Sequence, residues 1–212
     1  MKPITLIKAG VFAAALIPAA ALAYGLYALL SGSDVNALTA NPGDYITDQT
    51  GTWALAFLFI SLTITPIRRL TGWHPIIRLR RMLGLFSFFY ATLHLSTWVV
   101  FIHYFDTSFM IADVVMRRFI TVGMATYLML LALALTSNRF AVRKLGRKWQ
   151  TLHRLAYVAA VAAVIHFWWL VKQDIAEPRR WALALVGLLG LRIWWAYQAR
   201  QPAAADVTGR DR

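Results

Sequence analysis

The sequence has five histidines and no cysteine, so imidazole is the obvious donor on which metal or haem chemistry could rest. The lack of cysteine excludes disulfides, zinc ribbons, thiolate-held iron–sulfur clusters and a CxxCH haem attachment. His94 and His166 each sit deep inside a long apolar run, where a polar side chain is costly and normally faces the bundle interior or a cofactor. If both runs are helices leading outward from the same side, a rise of 1.5 Å per residue puts the two at similar depth, roughly 18–22 Å in. Two neutral imidazoles at matched depth suit six-coordinate haem b, one axial nitrogen on each side of the iron. The plain alternative is a pair of core histidines satisfied by Ser or Thr hydroxyls.

His153 begins the run that contains His166, thirteen residues earlier and so about 20 Å away along a helix. That interval suits a second, stacked haem, although an ideal helix turns the two side chains roughly 140° apart, which a kink would have to absorb. The corresponding positions before His94 hold Arg80 and Arg81. Arg80 lies within about 40° of the face of His94 and could hold a haem propionate or approach the iron, or be one more cytoplasmic charge. His74, before Pro75, reads as a solvated loop residue, and His103, half a turn out of phase with His94, as an interfacial one.

The elements that must position these groups are set by composition. Of 212 residues 59% are hydrophobic and only 15% charged, yet the net charge is +13, a balance unlike that of an ordinary soluble domain. The basic residues fall in short clusters between apolar runs rather than along one face, which argues against nucleic acid as a partner and for membrane lipid. The fold class expected is all-α, a polytopic membrane bundle of six transmembrane helices: Ala9 to Leu30, Trp53 to Ile67, Met82 to His103, Phe119 to Thr136, Leu152 to Val171 and Trp181 to Tyr197. The second and last look short. Met1 to Lys8 with Ala21-Leu22-Ala23 resembles a secretory leader, but the apolar run exceeds a leader's usual length, and a retained helix is expected.

The connections after spans 2 and 4 carry Arg68, Arg69, Arg78, Arg80, Arg81, Arg139, Arg143, Lys144, Arg147 and Lys148 without an acid. Those after spans 1, 3 and 5 hold Asp34, Asp44, Asp48, Asp106, Asp113, Asp174 and Glu177 against Arg117, Arg118, Lys172, Arg179 and Arg180. The positive-inside rule then puts both termini in the cytoplasm, with the longest loop, Ser31 to Thr52, outside. The chain divides into residues 1–50, first helix and outer loop; 51–171, the haem-binding core; 172–198, the last helix; and 199–212, a cytoplasmic tail expected to be disordered.

The runs His74-Pro75, Arg80-Arg81-Met82-Leu83-Gly84-Leu85, Tyr90-Ala91-Thr92-Leu93-His94 and Arg147-Lys148-Trp149-Gln150-Thr151-Leu152-His153-Arg154-Leu155-Ala156-Tyr157, with His166, resemble the MsrQ (YedZ) family of the ferric-reductase-like transmembrane superfamily. The likeness extends from about Ile60 to Trp195. It implies a haem b subunit of the bacterial inner membrane, multi-pass, that carries electrons from the quinone pool or a cytoplasmic flavin reductase. The acceptor implied is MsrP, a periplasmic molybdopterin enzyme reducing methionine sulfoxide in oxidised proteins, and FMN is associated with the family. By position His94, His153 and His166 match the haem-linked histidines, for one or two haems. Wider superfamily members have two histidines on each of two helices, whereas one of the four positions is arginine here. Their cytoplasmic FAD and NADPH domain is absent, and no flavin motif is identifiable.

The chain would therefore be a redox subunit without a substrate-reducing site of its own. A stand-alone ferric reductase or b-type cytochrome is the alternative. A transporter is disfavoured because no carboxylate falls inside any expected span.

Overall fold

The computed structural model describes residues 3–34, 37–171 and 175–199, and every regular element among them is helical. In order these are α1 Pro3–Leu30, α2 Pro42–Thr71, α3 Ile77–Thr97, α4 Thr107–Met116, α5 Arg118–Leu135, α6 Arg139–Leu145, α7 Arg147–Leu152, α8 Leu155–Leu170 and α9 Ala176–Gln198. A 3-10 turn, His74–Ile76, leads into α3, and a π-helical turn, Trp98–Ile102, prolongs it. Lys172, Asp174 and all but the first residue of the tail 199–212 expected to be disordered lie outside the described residues.

Five stretches are long and apolar enough to cross a membrane: Ile4–Leu30, Pro42–Thr71, His74–Ile102, Arg118–Leu135 and Arg147–Leu170. The segment expected as a sixth span folds as α9, whose 23 residues reach about 34 Å. Its apolar character falls short of the other five, diluted by Arg192, Trp194, Trp195 and Tyr197.

The largest departure from the sequence reading is α2. It was expected to be short, from Trp53, with Ser31 to Thr52 as a loop, but it runs 30 residues from Pro42. The local chemistry explains the early start. Asn41 caps the helix by accepting from the Asp44 N–H, Pro42 occupies the first turn where its missing N–H costs nothing, and Asp44 faces the positive end of the dipole. Hydropathy hid this start, because Asp44, Thr47, Asp48, Gln49 and Thr50 are polar while remaining compatible with helix. The other end stops at Gly72, whose left-handed φ of 67° lets its N–H return to Arg68 O.

α2 is also the centre of the bundle: half of its span is buried, against 6% for α1. One face packs Leu55, Leu58, Phe59 and Leu62 against Leu130 and Leu133 of α5, Ala159, Ala160 and Val164 of α8, and Leu185 of α9. The opposite face sets Phe57 and Ile64 against Leu79, Leu83, Phe86 and Tyr90 of α3 and Ala15 of α1. Lipid removes the hydrophobic drive for helices to meet, so close packing and interhelical hydrogen bonds must hold them. The fully buried Ala159 and Ala160 permit close approach. Ser87 Oγ donates to Ala54 O at 2.8 Å and Ser61 Oγ to Arg80 O at 3.0 Å, tying α3 to α2. The two most extensive pairings are α2 with α3 and α5 with α8. The bundle is thus built on two helix pairs, with α1 and α9 against their flanks.

Candidate functional site

His94 on α3 and His166 on α8 meet across the two helix pairs, with ring centroids 6.2 Å apart and planes turned by 78°. Each ring is fixed by the helix paired with its own. His94 Nδ1 lies 2.8 Å from Thr47 O on α2, and His166 Nδ1 lies 2.6 Å from Phe119 O on α5. A carbonyl oxygen can only accept, so both Nδ1 atoms carry the proton and Nε2 of each is left as the nitrogen for a metal. These are carbonyls already inside helices, using their second lone pair, so the rings are held without any ionisable partner. Each contact needs a glycine one turn further on. A Cβ at Gly51 would stand 3.0 Å from the His94 ring, and one at Gly123 would stand 2.8 Å from that of His166.

The dimensions fit a haem iron between the rings. A metal–imidazole bond of about 2 Å on each side, plus roughly 1 Å from each nitrogen to its ring centre, spans roughly 6 Å. The groups around the pair add no charge: Gly51, Gly123 and Phe119, whose ring centroid lies 6.1 Å from that of His166, are apolar.

The two halves of this site are copies of one arrangement. Histidine and carbonyl are 47 residues apart in each, and a shift of 72 residues takes 94 to 166, 47 to 119 and 51 to 123. The α2–α3 and α5–α8 pairs therefore present the same local device from opposite sides. The sequence carried this signal in its paired Gly and His spacing, but a search for ligands alone does not find it. Thr47 and Gly51 also lay in the segment read as loop.

At the Arg-rich end the copies diverge. The same shift takes Arg81 to His153. In the first copy α3 is continuous from Ile77, so a position thirteen residues before His94 points to the opposite side; Arg81 is exposed while Arg80 is half-buried. In the second copy the regular helix is interrupted between α7 and α8 at His153 and Arg154, where Arg154 N bonds Thr151 O and Tyr157 N bonds Arg154 O in tighter turns. His153 Nε2 lies 3.2 Å from Thr136 Oγ1, whose own proton goes to Ala132 O at 2.7 Å. Nε2 is thus the donor, a tautomer opposite to that of His94 and His166. Trp149 stacks on the His153 ring at 3.9 Å and donates Nε1–H to Thr136 O. Arg80 lies within electrostatic reach of His153. No second imidazole faces His153 among the described residues.

The other two histidines lie apart from this pair. His74 is exposed at the start of the 3-10 turn. His103, at the end of the π-helical turn, packs on Trp98 and pairs with Asp113 at 3.1 Å, which also holds Arg117 at 3.0 Å.

Five helices long and apolar enough to cross a membrane, with two imidazoles facing each other between two like helix pairs, are the features of a multi-pass membrane protein. Residues 50–164 match the family described as ferric reductase like transmembrane component. The chain is 47% identical over 200 residues to the protein-methionine-sulfoxide reductase heme-binding subunit MsrQ of Herminiimonas arsenicoxydans, covering 93% of this chain and 88% of that one. It is 48% identical over 170 residues to the MsrQ of Ralstonia nicotianae, 78% of each chain. The MsrQ of Xanthomonas axonopodis pv. citri is 47% identical over 203 residues, 95% of this chain and 92% of that one. No solved structure matches. The chain belongs to the MsrQ family of ferric-reductase-like transmembrane proteins.

Proposed function

We propose that the chain is the haem b subunit of a methionine sulfoxide reductase system in the bacterial inner membrane, carrying electrons outward to a periplasmic molybdopterin reductase of the MsrP kind. The observation that supports this best is the His94–His166 pair: two rings 6.2 Å apart, each with Nδ1 held by a helix carbonyl and Nε2 left for iron. The names of the relatives, heme-binding subunits of a protein-methionine-sulfoxide reductase, agree with it.

In this reading α9 is a sixth span, and both termini and the Arg-rich connections face the cytoplasm. Haem bound between the two helix pairs supplies a carrier that takes and gives one electron without a bound proton. His94 and His166 would hold it through Nε2, and the carbonyls of Thr47 and Phe119 fix the orientation of the two imidazoles. Fixed rings also mean little rearrangement when the charge at the centre changes.

His153 is the candidate ligand at the cytoplasmic end, where it must release Thr136 to present Nε2. Arg80 is the cation beside it. Electrons enter at this end from the quinone pool or a cytoplasmic flavin donor. There Arg139, Arg143, Lys144, Arg147 and Lys148 are exposed on α6 and α7 and attract an anionic docking partner such as a flavin phosphate.

Purified protein should show the reduced-minus-oxidised bands of a low-spin b-type haem. Reduced protein should be reoxidised by the periplasmic reductase with methionine sulfoxide present. Reoxidation by ferric chelate at a rate the reductase does not raise would instead favour the stand-alone ferric reductase. Haem counted per chain, with and without His153→Ala, gives the number of haems; an equal count in both contradicts a role for His153 as ligand.

A further inference from the structure

Arg192, on α9, is an arginine in a largely apolar helix, and the electron path above gives it no task. Its two terminal nitrogens are engaged, one donating to Tyr157 Oη on α8 and the other to Leu62 O on α2. The guanidinium also lies over the Tyr157 ring at 4.8 Å. Its Nε is enclosed and has no hydrogen-bond partner. An enclosed guanidinium donor without a partner leaves a desolvation cost unmet.

The neighbourhood adds positive charge. Arg80, half-buried at the start of α3, accepts on its carbonyl from Ser61 Oγ, one residue before the Leu62 carbonyl that holds Arg192, and Arg69 lies two turns further along the same helix α2. No Asp or Glu occurs in residues 49–105, 114–173 or 178–205, which supply every element around this point. Arginines gathered from three helices, with no carboxylate from those elements to balance them, repel one another unless an anion joins them. A planar guanidinium fork suits the two oxygens of a carboxylate or phosphate.

We propose that Arg192 and Arg80, with Tyr157 orienting Arg192, form an oxyanion-binding site at the Arg-rich end of the bundle, closed on one side by α9. The anion is a carboxylate or a phosphate ester. The carboxylate source, a propionate of a haem on the His153 side, rests on the function proposed above. The phosphate source, an anionic lipid headgroup, does not. This also gives α9, outside the two matched helix pairs, a role in carrying one arm of the site.

The test uses the full chain with Arg192→Gln, Arg192→Lys and Tyr157→Phe, and a chain ending at residue 199, which removes the acids of the tail. Three quantities are read: haem per chain, the midpoint potential of each haem, and phosphatidylglycerol retained after exchange into phosphatidylcholine vesicles. Arg192→Gln should weaken anion retention about tenfold or more, and Arg192→Lys, which keeps the charge but loses the fork, should fall between. For a propionate, one haem is lost or its midpoint moves downward while lipid retention stays; for a headgroup, retained phosphatidylglycerol falls while haem is unchanged. An unaltered low-spin spectrum from the His94–His166 centre shows that each variant is folded. Its absence from the unmodified protein would sink the haem reading and leave the lipid arm intact. The site itself is refuted if Arg192→Gln keeps haem count, potentials and lipid unchanged, or if tail removal alone reproduces the loss.

Discussion

His94 and His166 are held by main-chain carbonyls rather than by carboxylates, so their orientation rests on helix packing. The most sensitive substitutions at this scale are therefore of two kinds. Replacing either ring, His94→Ala or His166→Ala, takes away one of the two imidazoles proposed to hold the haem, and each single variant should lose the low-spin spectrum of that proposed centre. Replacing the opposing glycine should do nearly as much without touching a ligand. In Gly123→Ala the new methyl would sit 2.8 Å from the ring of His166, closer than a Cβ is tolerated. The ring must turn or the helices part, and the His166 Nδ1 bond to Phe119 O goes with it. Haem occupancy measured after purification should fall in Gly123→Ala, and less so in Gly51→Ala, where the distance is 3.0 Å. Equal occupancy in Gly123→Ala and the parent would show that the close approach does not matter to the ring.

At the scale of elements, α1 is attached by one unusual contact. Tyr90, wholly buried on α3 one turn before His94, donates its hydroxyl to Ala15 O at 2.7 Å and accepts from Ala19 N at 3.0 Å. Those two groups would bond each other in an unbroken helix, and Pro18 between them removes a neighbouring donor. The tyrosine hydroxyl has entered the helix ladder where proline already weakens it. Tyr90→Phe should cost about 1 kcal/mol, the net worth of a hydrogen bond, because Ala19 N can partly recover Ala15 O. Thermal unfolding in detergent measures that, and the His94 site, held by α2, should keep its spectrum. The break between α7 and α8 is the other element-scale device. There the two copies differ in backbone as well as in residue type, since α3 runs unbroken through Arg81, the position that matches His153.

For the molecule as a whole, membrane orientation is the property on which the proposed outward transfer of electrons depends. Because the chain has no cysteine, single cysteines report sidedness without background. Ser108→Cys on α4 and Lys148→Cys on α7 are both at exposed positions. A membrane-impermeant maleimide added to spheroplasts should label the first and reach the second only after the membrane is opened. The reverse pattern would invert the proposed topology.

Much of the fold was readable from composition. Long apolar runs without alternation dictate helices in lipid, and the Arg clusters mark one end of the bundle. His94 and His166 could be paired by depth alone, since rise per residue is fixed in a helix. What the sequence could not determine depends on azimuth and on partners far along the chain. The polar start of α2 is hidden from hydropathy, so the carbonyl of Thr47 and the approach at Gly51 emerged only when α2 was seen beside α3. The tautomers of the histidines, the interruption of helix at His153 and the meeting of Arg192 with Tyr157 and Leu62 likewise belong to tertiary structure. Each is set by which helix faces which, and interhelical packing, unlike span length, is not encoded in any one segment.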